Sequence, residues 1–132
     1  MFAAAPEVPG PAASRVQLLD LAAFPKGPID REALEWIEAG PGLLLHVHSE
    51  DTARGLKRCI VRGAPGARTV RHGHAGDEVI FVVEGRLRDH RGEYGPGDLC
   101  RSRPGDVHHE EVVGDDECLC YVLYYGDLIP LA

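Results

Sequence analysis

The segment between Gly66 and Gly85 contains two histidines and a glutamate at a spacing that suits a metal ion. It reads G-x5-H-x-H-x3-E-x6-G, with His72, His74 and Glu78 at the polar positions. Side chains two residues apart on a strand point to the same face, so the two histidines can hold one ion together. Glu78 opens the next predicted strand, and a short turn would bring it alongside them. Imidazole nitrogens and a carboxylate suit a borderline dication such as zinc or ferrous iron.

A second segment, between Gly97 and His108, supplies a fourth candidate ligand. It reads G-x5-(P)-x-G-x2-H, with Arg103 where the pattern has proline. His109 is an alternative ligand, but adjacent side chains of a strand point to opposite faces. The three-residue step from Gly105 favours His108 as the ligand and predicts that His109 faces solvent. The two segments follow one another closely, and together they are more specific than either half.

Together the two segments resemble the cupin superfamily over about residues 43–125. Cupins are small jelly-roll β-barrels with one metal ion inside the barrel. The resemblance therefore implies this all-β fold and one divalent transition-metal ion, which is zinc, iron, manganese or nickel. Carried over residue by residue, it implies four metal ligands: His72, His74, Glu78 and His108.

Two further stretches, APGAR at 64–68 and EGRLRD at 84–89, are similar to the ChrR-like subgroup of cupins. That subgroup includes the zinc-bound C-terminal domain of the anti-sigma factor ChrR and some ring-ketone-cleaving dioxygenases. Anti-sigma activity is not implied, because in ChrR it belongs to a separate N-terminal helical zinc domain, and this chain has no cysteine before Cys59.

The elements that position these residues are predicted to be short strands. The 132 residues include 16 glycines and 10 prolines, a density of turn residues that argues against long helices. From Leu43 onward about eight apolar runs alternate with polar turns, which indicates a β-sandwich or barrel. The run Val79–Val83 is apolar on both faces, so we expect it to be covered on its outer side as well. Residues 43–132 are assigned to the barrel.

The N-terminal residues are predicted to lie outside the barrel. Residues 1–14 are rich in alanine, proline and glycine, which predicts a flexible tail. Residues 15–42 form an extension with one short helix, for which Asp30 is the predicted N-cap and Gly40-Pro41 the end. Leu34 and Ile37 would face the body of the domain.

The pair His46 and His48 has the same spacing as the metal-binding pair. No glutamate follows it three or four residues later, as one does in the candidate metal motif. We therefore interpret these two histidines as ordinary strand residues.

The net charge and the cysteines of the chain indicate which binding partners and which cellular location to expect for the protein. The net charge is −7, and the seven excess acidic residues lie between Asp106 and Asp127. An acidic flank without a basic stripe elsewhere argues against nucleic acid. No apolar run approaches the roughly 20 residues that span a bilayer, and the N-terminal residues lack the pattern of a secretory signal. We predict no membrane partner, a cytoplasmic location, and four reduced cysteines that pack as small apolar side chains: Cys59, Cys100, Cys118 and Cys120.

Three functions are compatible with these residues. Four protein ligands leave one or two positions open on a five- or six-coordinate ion, where a small-molecule ligand or oxygen can bind. This favours a metal-dependent enzyme, such as an iron dioxygenase that acts on a small organic substrate. The alternative is a non-catalytic zinc-binding or sensor module, which the ChrR resemblance implies. An isomerase is less favoured because no obvious general base accompanies the ligands, and the sequence identifies neither a catalytic residue nor a substrate.

We also predict that the chain is a homodimer. Cupins commonly pair through their sheets, and the N-terminal segment supplies apolar side chains as a cover or a swapped strand, namely Leu18, Leu19, Leu21 and Phe24. Light scattering at micromolar concentration should give twice the chain mass of 14.3 kDa. A particle with the mass of a single chain would contradict the prediction.

Overall fold

The computed structural model describes residues 24, 25 and 27–130, and this part of the chain consists mainly of short β-strands. Its one helical element is a single 3-10 turn at Arg31–Ala33. The strands in chain order are β1 (Ile37–Gly40), β2 (Leu43–Asp51), β3 (Leu56–Gly63), β4 (His72–His74), β5 (Glu78–Glu84), β6 (Arg86–Asp89), β7 (Gly92–Tyr94), β8 (Leu99–Ser102), β9 (Val107–His108), β10 (Glu111–Val113), β11 (Cys118–Tyr125) and β12 (Leu128–Pro130). The predicted all-β fold class is confirmed. Within the described residues, no helix has the length and hydropathy that a membrane crossing needs.

The strands form three antiparallel sheets. The largest has the strand order β1-β2-β3-β11-β5-β8, and two three-stranded sheets have the orders β10-β6-β7 and β12-β4-β9. Strands that are neighbours in a sheet are often far apart in the chain, because β11 lies between β3 and β5. The chain therefore crosses repeatedly between sheets, as it does in a jelly-roll barrel.

The inner face of the large sheet forms the main core. Alternate residues of β11, including Cys120 and Val122, lie opposite Val82 and Ile80 of β5 and share their face. The cluster is completed by buried residues from other strands and loops: Leu43, Ala67, Leu87, Cys100, Val112 and Cys118. Burying an aliphatic side chain of this size stabilises the fold by about 1.5–3 kcal/mol. This core holds the large sheet against the two smaller ones.

The outer face of the same sheet is also apolar. Phe24 is buried with Leu123 and Tyr125, and its ring stacks on that of Tyr121 at 4.8 Å between centroids. On the neighbouring strand, the Phe81 ring lies 6.4 Å from the Tyr121 ring. Cover on the outer side was expected from the sequence, and Phe24 provides part of it. The other residues named for that role, Leu18, Leu19 and Leu21, lie outside the described part of the chain.

The helix predicted between Asp30 and Gly40 is wrong. Asp30 does act as a cap, since its side chain accepts a hydrogen bond from the Glu32 amide at 3.1 Å. The turn that it caps nevertheless ends after Ala33, and Leu34 is extended at φ −102° and ψ 150°. The chain then continues as β1, which pairs with β2.

Strand pairing prevails here because a helix in this segment would bury little. Ile37, which was expected to face the body, is 61% exposed. Isolated helices of about ten residues are marginal in water. In the extended form the Trp36 indole donates to the Arg31 carbonyl at 2.7 Å, and the Arg62 guanidinium lies 5.0 Å from the Trp36 ring centroid. Of the Gly40-Pro41 pair, which was predicted to end the helix, Gly40 is the last residue of β1 and Pro41 begins the turn to β2.

Gly85 is a position where the fold requires glycine, and replacing it should be costly. Its φ is +79°, and an added Cβ would lie 2.5 Å from the Glu117 carbonyl oxygen. Gly85→Ala should therefore lower the free energy of unfolding by about 2–4 kcal/mol, from backbone strain and from the clash together. Gly97→Ala is the matched control, because Gly97 has φ +90° with no atom within 4 Å of the added Cβ. The control should lose only about 1–2 kcal/mol in urea unfolding, and equal losses would contradict the clash.

Candidate metal centre

Three short elements bring the four predicted ligands together. β4 carries His72 and His74, β5 begins at Glu78, and β9 ends at His108. The pairing of β4 with β9 places His72 directly opposite His108. One ligand atom from each of the four residues lies within 4.8 Å of the others, and all four residues are buried. The ligand set implied by the cupin resemblance thus forms a single cluster.

Hydrogen bonds on the far side of two rings determine which nitrogen faces the cluster. His72 Nδ1 lies 2.8 Å from the Val70 carbonyl oxygen, and His74 Nδ1 lies 2.8 Å from the Asp106 carbonyl oxygen. A carbonyl oxygen only accepts, so Nδ1 carries the proton in both rings. The Nε2 atoms, with their lone pairs, are thereby turned toward the centre.

The centre contains buried acceptors without a matching donor. Glu78 Oε1 lies 2.9 Å from His74 Nε2 and 3.3 Å from His108 Nε2. Within the described part of the chain, His72 Nε2 has no hydrogen-bond partner. Buried acceptors that face each other are costly unless a cation or protons lie between them. Three imidazole nitrogens and one carboxylate oxygen fit a divalent transition-metal ion, so this cluster is a candidate metal site.

Asp89 supports His108 from behind, and sequence reasoning missed this role. The Asp89 carboxylate is fully buried and lies 3.3 Å from His108 Nδ1. Burial alone would raise the pKa of Asp89, but hydrogen bonds from Arg91 hold it well below its usual range. A carboxylate on the outer nitrogen of a ligating histidine fixes the ring orientation and raises its basicity. The available signal was the alternation in β6, which places Asp89 on the same inward face as Leu87.

Glu110 is a second carboxylate at the centre that sequence reasoning missed. It is 3% exposed, and its Oε1 lies 2.7 Å from His108 Nε2 and 3.9 Å from His72 Nε2. Its other oxygen, Oε2, accepts a hydrogen bond from Thr69 Oγ1 at 2.7 Å. The signal that points to Glu110 is its position two residues after His108, because residues at i and i+2 of extended chain share a face.

An apolar cavity of about 240 Å³ adjoins the candidate ligands. His72, Glu78 and Glu110 line one part of it, and most of the remaining wall is aliphatic side chains and cysteines. Val70, which also lines the cavity, is 67% exposed, so the cavity reaches the surface. A small molecule that entered there would lie directly against the cluster.

The other histidine and cysteine predictions agree with the structure. His108 is 3% exposed and lies in the cluster, whereas His109 is exposed, as the strand alternation predicts. His46 lies on β2, where its Nδ1 is 2.8 Å from the Glu35 carbonyl oxygen, and it is not part of the cluster. All four cysteines are free and buried, as predicted. Cys118 and Cys120 have their Sγ atoms 3.5 Å apart on the cavity wall.

Without an ion, protons occupy part of the centre. Burial disfavours the imidazolium of His108, but the adjacent carboxylates of Glu110 and Glu78 outweigh burial and raise its pKa to about 10. Burial also disfavours the imidazolium of His74, but its contact with the Glu78 carboxylate outweighs burial and raises the pKa of His74. The pKa of Glu78 is lowered, because these two histidines outweigh the effect of its burial. The stability that the metal-free fold gains from the His108 imidazolium is therefore fully present below the ordinary histidine pKa of 6.5 and is lost as pH rises through about 10.

The fold and the buried His/Glu cluster define the chain as a cupin. Residues 27–126 match the family model of the ChrR cupin-like domain. The chain belongs to the ChrR cupin-like domain family, and the resemblance inferred from the two motifs is confirmed. No curated protein matches the sequence.

Solved cupin structures share the fold at low sequence identity. An RmlC-like cupin from Ralstonia eutropha has a TM-score of 0.69 at 18% identity, over 85% of this chain and 76% of the other. The complex of Rhodobacter sphaeroides SigE with the anti-sigma ChrR has a TM-score of 0.63 at 20% identity, over 86% of this chain and 59% of the other. An acetylacetone dioxygenase from Acinetobacter johnsonii has a TM-score of 0.69 at 15% identity, over 83% of this chain and 79% of the other. The predicted cupin fold is thus confirmed.

Zinc binding should release protons and should strengthen as pH rises. An ion takes the unprotonated Nε2, so it must displace the proton that His108 holds while its pKa is about 10. Each displaced proton makes the apparent affinity rise about tenfold per pH unit between about pH 7 and about pH 9. Calorimetry in two buffers of different ionisation enthalpy counts the protons released. An affinity that stayed constant over this range would contradict a protonated cluster.

Proposed function

We propose that the cluster binds one divalent transition-metal ion and that the chain is an iron-dependent dioxygenase acting on a small organic substrate. The observation that carries the proposal is the cavity of about 240 Å³ that opens directly onto the candidate ligands. A purely structural metal site is normally closed by its ligands, whereas a catalytic site keeps open positions. Here the space beside the cluster has the size and the apolar wall that a small organic molecule needs.

The residues of the chain have distinct tasks in this proposal. His72, His74, His108 and Glu78 would hold the ion. A bound ferrous ion would supply the one-electron chemistry that lets dioxygen react with an organic molecule. The Val70 and Asp106 carbonyls and the Asp89 carboxylate keep each imidazole turned with Nε2 inward. The apolar wall excludes water, which strengthens electrostatic interactions inside the site.

The structural neighbours add support for oxygen chemistry. Two of them are the acetylacetone dioxygenase from Acinetobacter johnsonii and a putative acetylacetone dioxygenase from Methylibium petroleiphilum, with TM-scores of 0.69 and 0.68. At sequence identities of 15% and 13%, these two proteins are similar to this chain in fold alone. Proteins named as dioxygenases thus have this fold, which supports the proposal.

The second candidate is a non-catalytic zinc-binding or sensor module. The match to the ChrR cupin-like domain model favours it, as does the similarity to the SigE–ChrR complex. In this case the ion would be held permanently, and the cavity would bind a signalling molecule without changing it. The homodimer, the cytoplasmic location and the absence of nucleic-acid and membrane partners stay predictions.

The experiment that tests the proposal begins with the metal content of protein purified without added metal. Less than about a tenth of an ion per chain, with no gain on reconstitution, would contradict both candidates. The protein is then loaded with ferrous iron under nitrogen and screened for oxygen uptake with small uncharged ketones, diketones and phenols. An active dioxygenase should place both atoms of ¹⁸O₂ in its products, and the zinc-loaded form should place none. A protein that binds iron fully but consumes no oxygen across the screen supports the sensor module instead.

Two glutamates of β5 provide a matched pair of variants. Glu78→Gln keeps an oxygen at the cluster but removes the negative charge of the candidate ligand, and it should weaken metal binding by at least about a hundredfold. Glu84→Gln removes an exposed carboxylate at the other end of the strand, where it pairs with Arg31. Metal binding in this control should match that of the unmodified protein. Equal metal affinity in both variants would exclude Glu78 as a ligand.

A further inference from the structure

Glu110 has one carboxylate oxygen whose partner at the centre is a candidate metal ligand. Thr69 holds the residue in place: its hydroxyl donates to Oε2 at 2.7 Å and accepts from the Glu110 amide at 2.9 Å. The other oxygen, Oε1, is buried and lies 2.7 Å from His108 Nε2. An ion bound to His108 would take the lone pair of Nε2 and displace its proton, so Oε1 would lose that donor. Leaving a buried acceptor unsatisfied is costly, and a donor on a bound molecule could satisfy it.

The position of Oε1 separates Glu110 from the candidate ligands. The four residues whose ligand atoms gather within 4.8 Å do not include it. Its Oε1 approaches His108 and His72 from one side, and the residue also lines the cavity. Glu110 therefore stands at the boundary between the ion site and the space that a small molecule would occupy.

The cavity wall indicates the charge of its occupant. Among the described residues that line it, none is a lysine or an arginine, and the carboxylates are those of Glu78 and Glu110. A bound dication would balance these two negative charges. An occupant with a net charge would find no partner of opposite sign in the wall, and burying it unpaired would be unfavourable. The cavity is thus suited to an uncharged, largely apolar molecule.

We propose that Glu110 orients the substrate by accepting a hydrogen bond from it. The substrate class is an uncharged, largely apolar molecule that carries a hydroxyl or N–H donor at the end facing the ion. The donor satisfies Oε1, and the apolar body fills the cavity. This inference rests on the proposed function, because it places the donor next to a bound ion. It adds a residue that selects the substrate and a chemical requirement that the substrate must meet.

The test uses zinc-loaded protein and two probes of similar size, benzyl alcohol and benzyl methyl ether. Chemical-shift titration of the backbone amides measures binding without any turnover. Benzyl alcohol should bind at least about tenfold more tightly than its methyl ether, which has no donor, because a hydrogen bond to a buried carboxylate is at stake. Equal binding of alcohol and ether to the unmodified protein would overturn the inference, whatever the variants do.

The variant Glu110→Gln keeps the size of the side chain, and its carbonyl can still accept from Thr69. It presents an amide donor in place of Oε1, so the ratio of alcohol to ether affinity should fall to within about threefold of unity. Zinc affinity should change little, because Glu110 is not a ligand in this proposal. Glu111→Gln is the matched control: it removes the neighbouring carboxylate, which pairs with Arg68 and Arg88 on the surface, and should leave the ratio unchanged.

Each remaining outcome distinguishes this inference from the function on which it rests. If Glu110→Gln loses zinc, Glu110 is a ligand, and the orienting role is overturned while metal binding stands. If Glu110→Gln binds zinc and keeps the ratio of alcohol to ether affinity, another group accepts the hydrogen bond from the probe. The inference is then overturned, and the proposed function stands. A chain that takes up no zinc overturns the inference and the proposed function together.

Discussion

The convergence of buried acceptors on one point is the constraint on which the structure depends. Imidazole nitrogens and carboxylate oxygens from β4, β5 and the segment around β9 face one another with water excluded. Such an arrangement is stable only with positive charge between the acceptors, as protons or as an ion. The Nδ1 atom of each clustered histidine faces an acceptor on the side away from the centre, and this orients Nε2 toward the centre. The cluster is therefore a candidate ion site, and the strand order brings its parts together.

The four clustered residues were predictable because their positions follow from local geometry. His72 and His74 are two residues apart on one strand, and Glu78 follows across a short turn, so strand alternation alone places them on one face. His108 required the second motif and the resemblance to cupins, since its pairing with β4 joins residues 36 positions apart. The apolar character of β5 on both faces was also readable, because it reports burial directly.

The errors and omissions have a common physical cause, which is that distant partners decided the outcome. Between Asp30 and Gly40 the local capping signal was correct, but pairing with β2 prevailed over a helix that buries nothing. Asp89 and Glu110 carry no motif, and their roles depend on Arg91, Thr69 and the cluster itself. The local signs were an inward position in β6 for Asp89 and a position two residues after His108 for Glu110. Composition and residue spacing predict individual strands well, whereas contacts between distant strands become visible only in the folded structure.

The sheet that carries most of the cluster is small, and its size has a mechanical consequence. β4 has three residues and lies between β9, which has two, and β12, which has three. So few ladder hydrogen bonds give little cooperativity, and short sheets of this kind are marginal on their own. An ion bound to His72, His74 and His108 would tie β4 to β9 as a cross-link, and β12, paired with β4, would be held with them. Loading and release of the ion would then change the rigidity of the wall of the barrel that β4, β9 and β12 form.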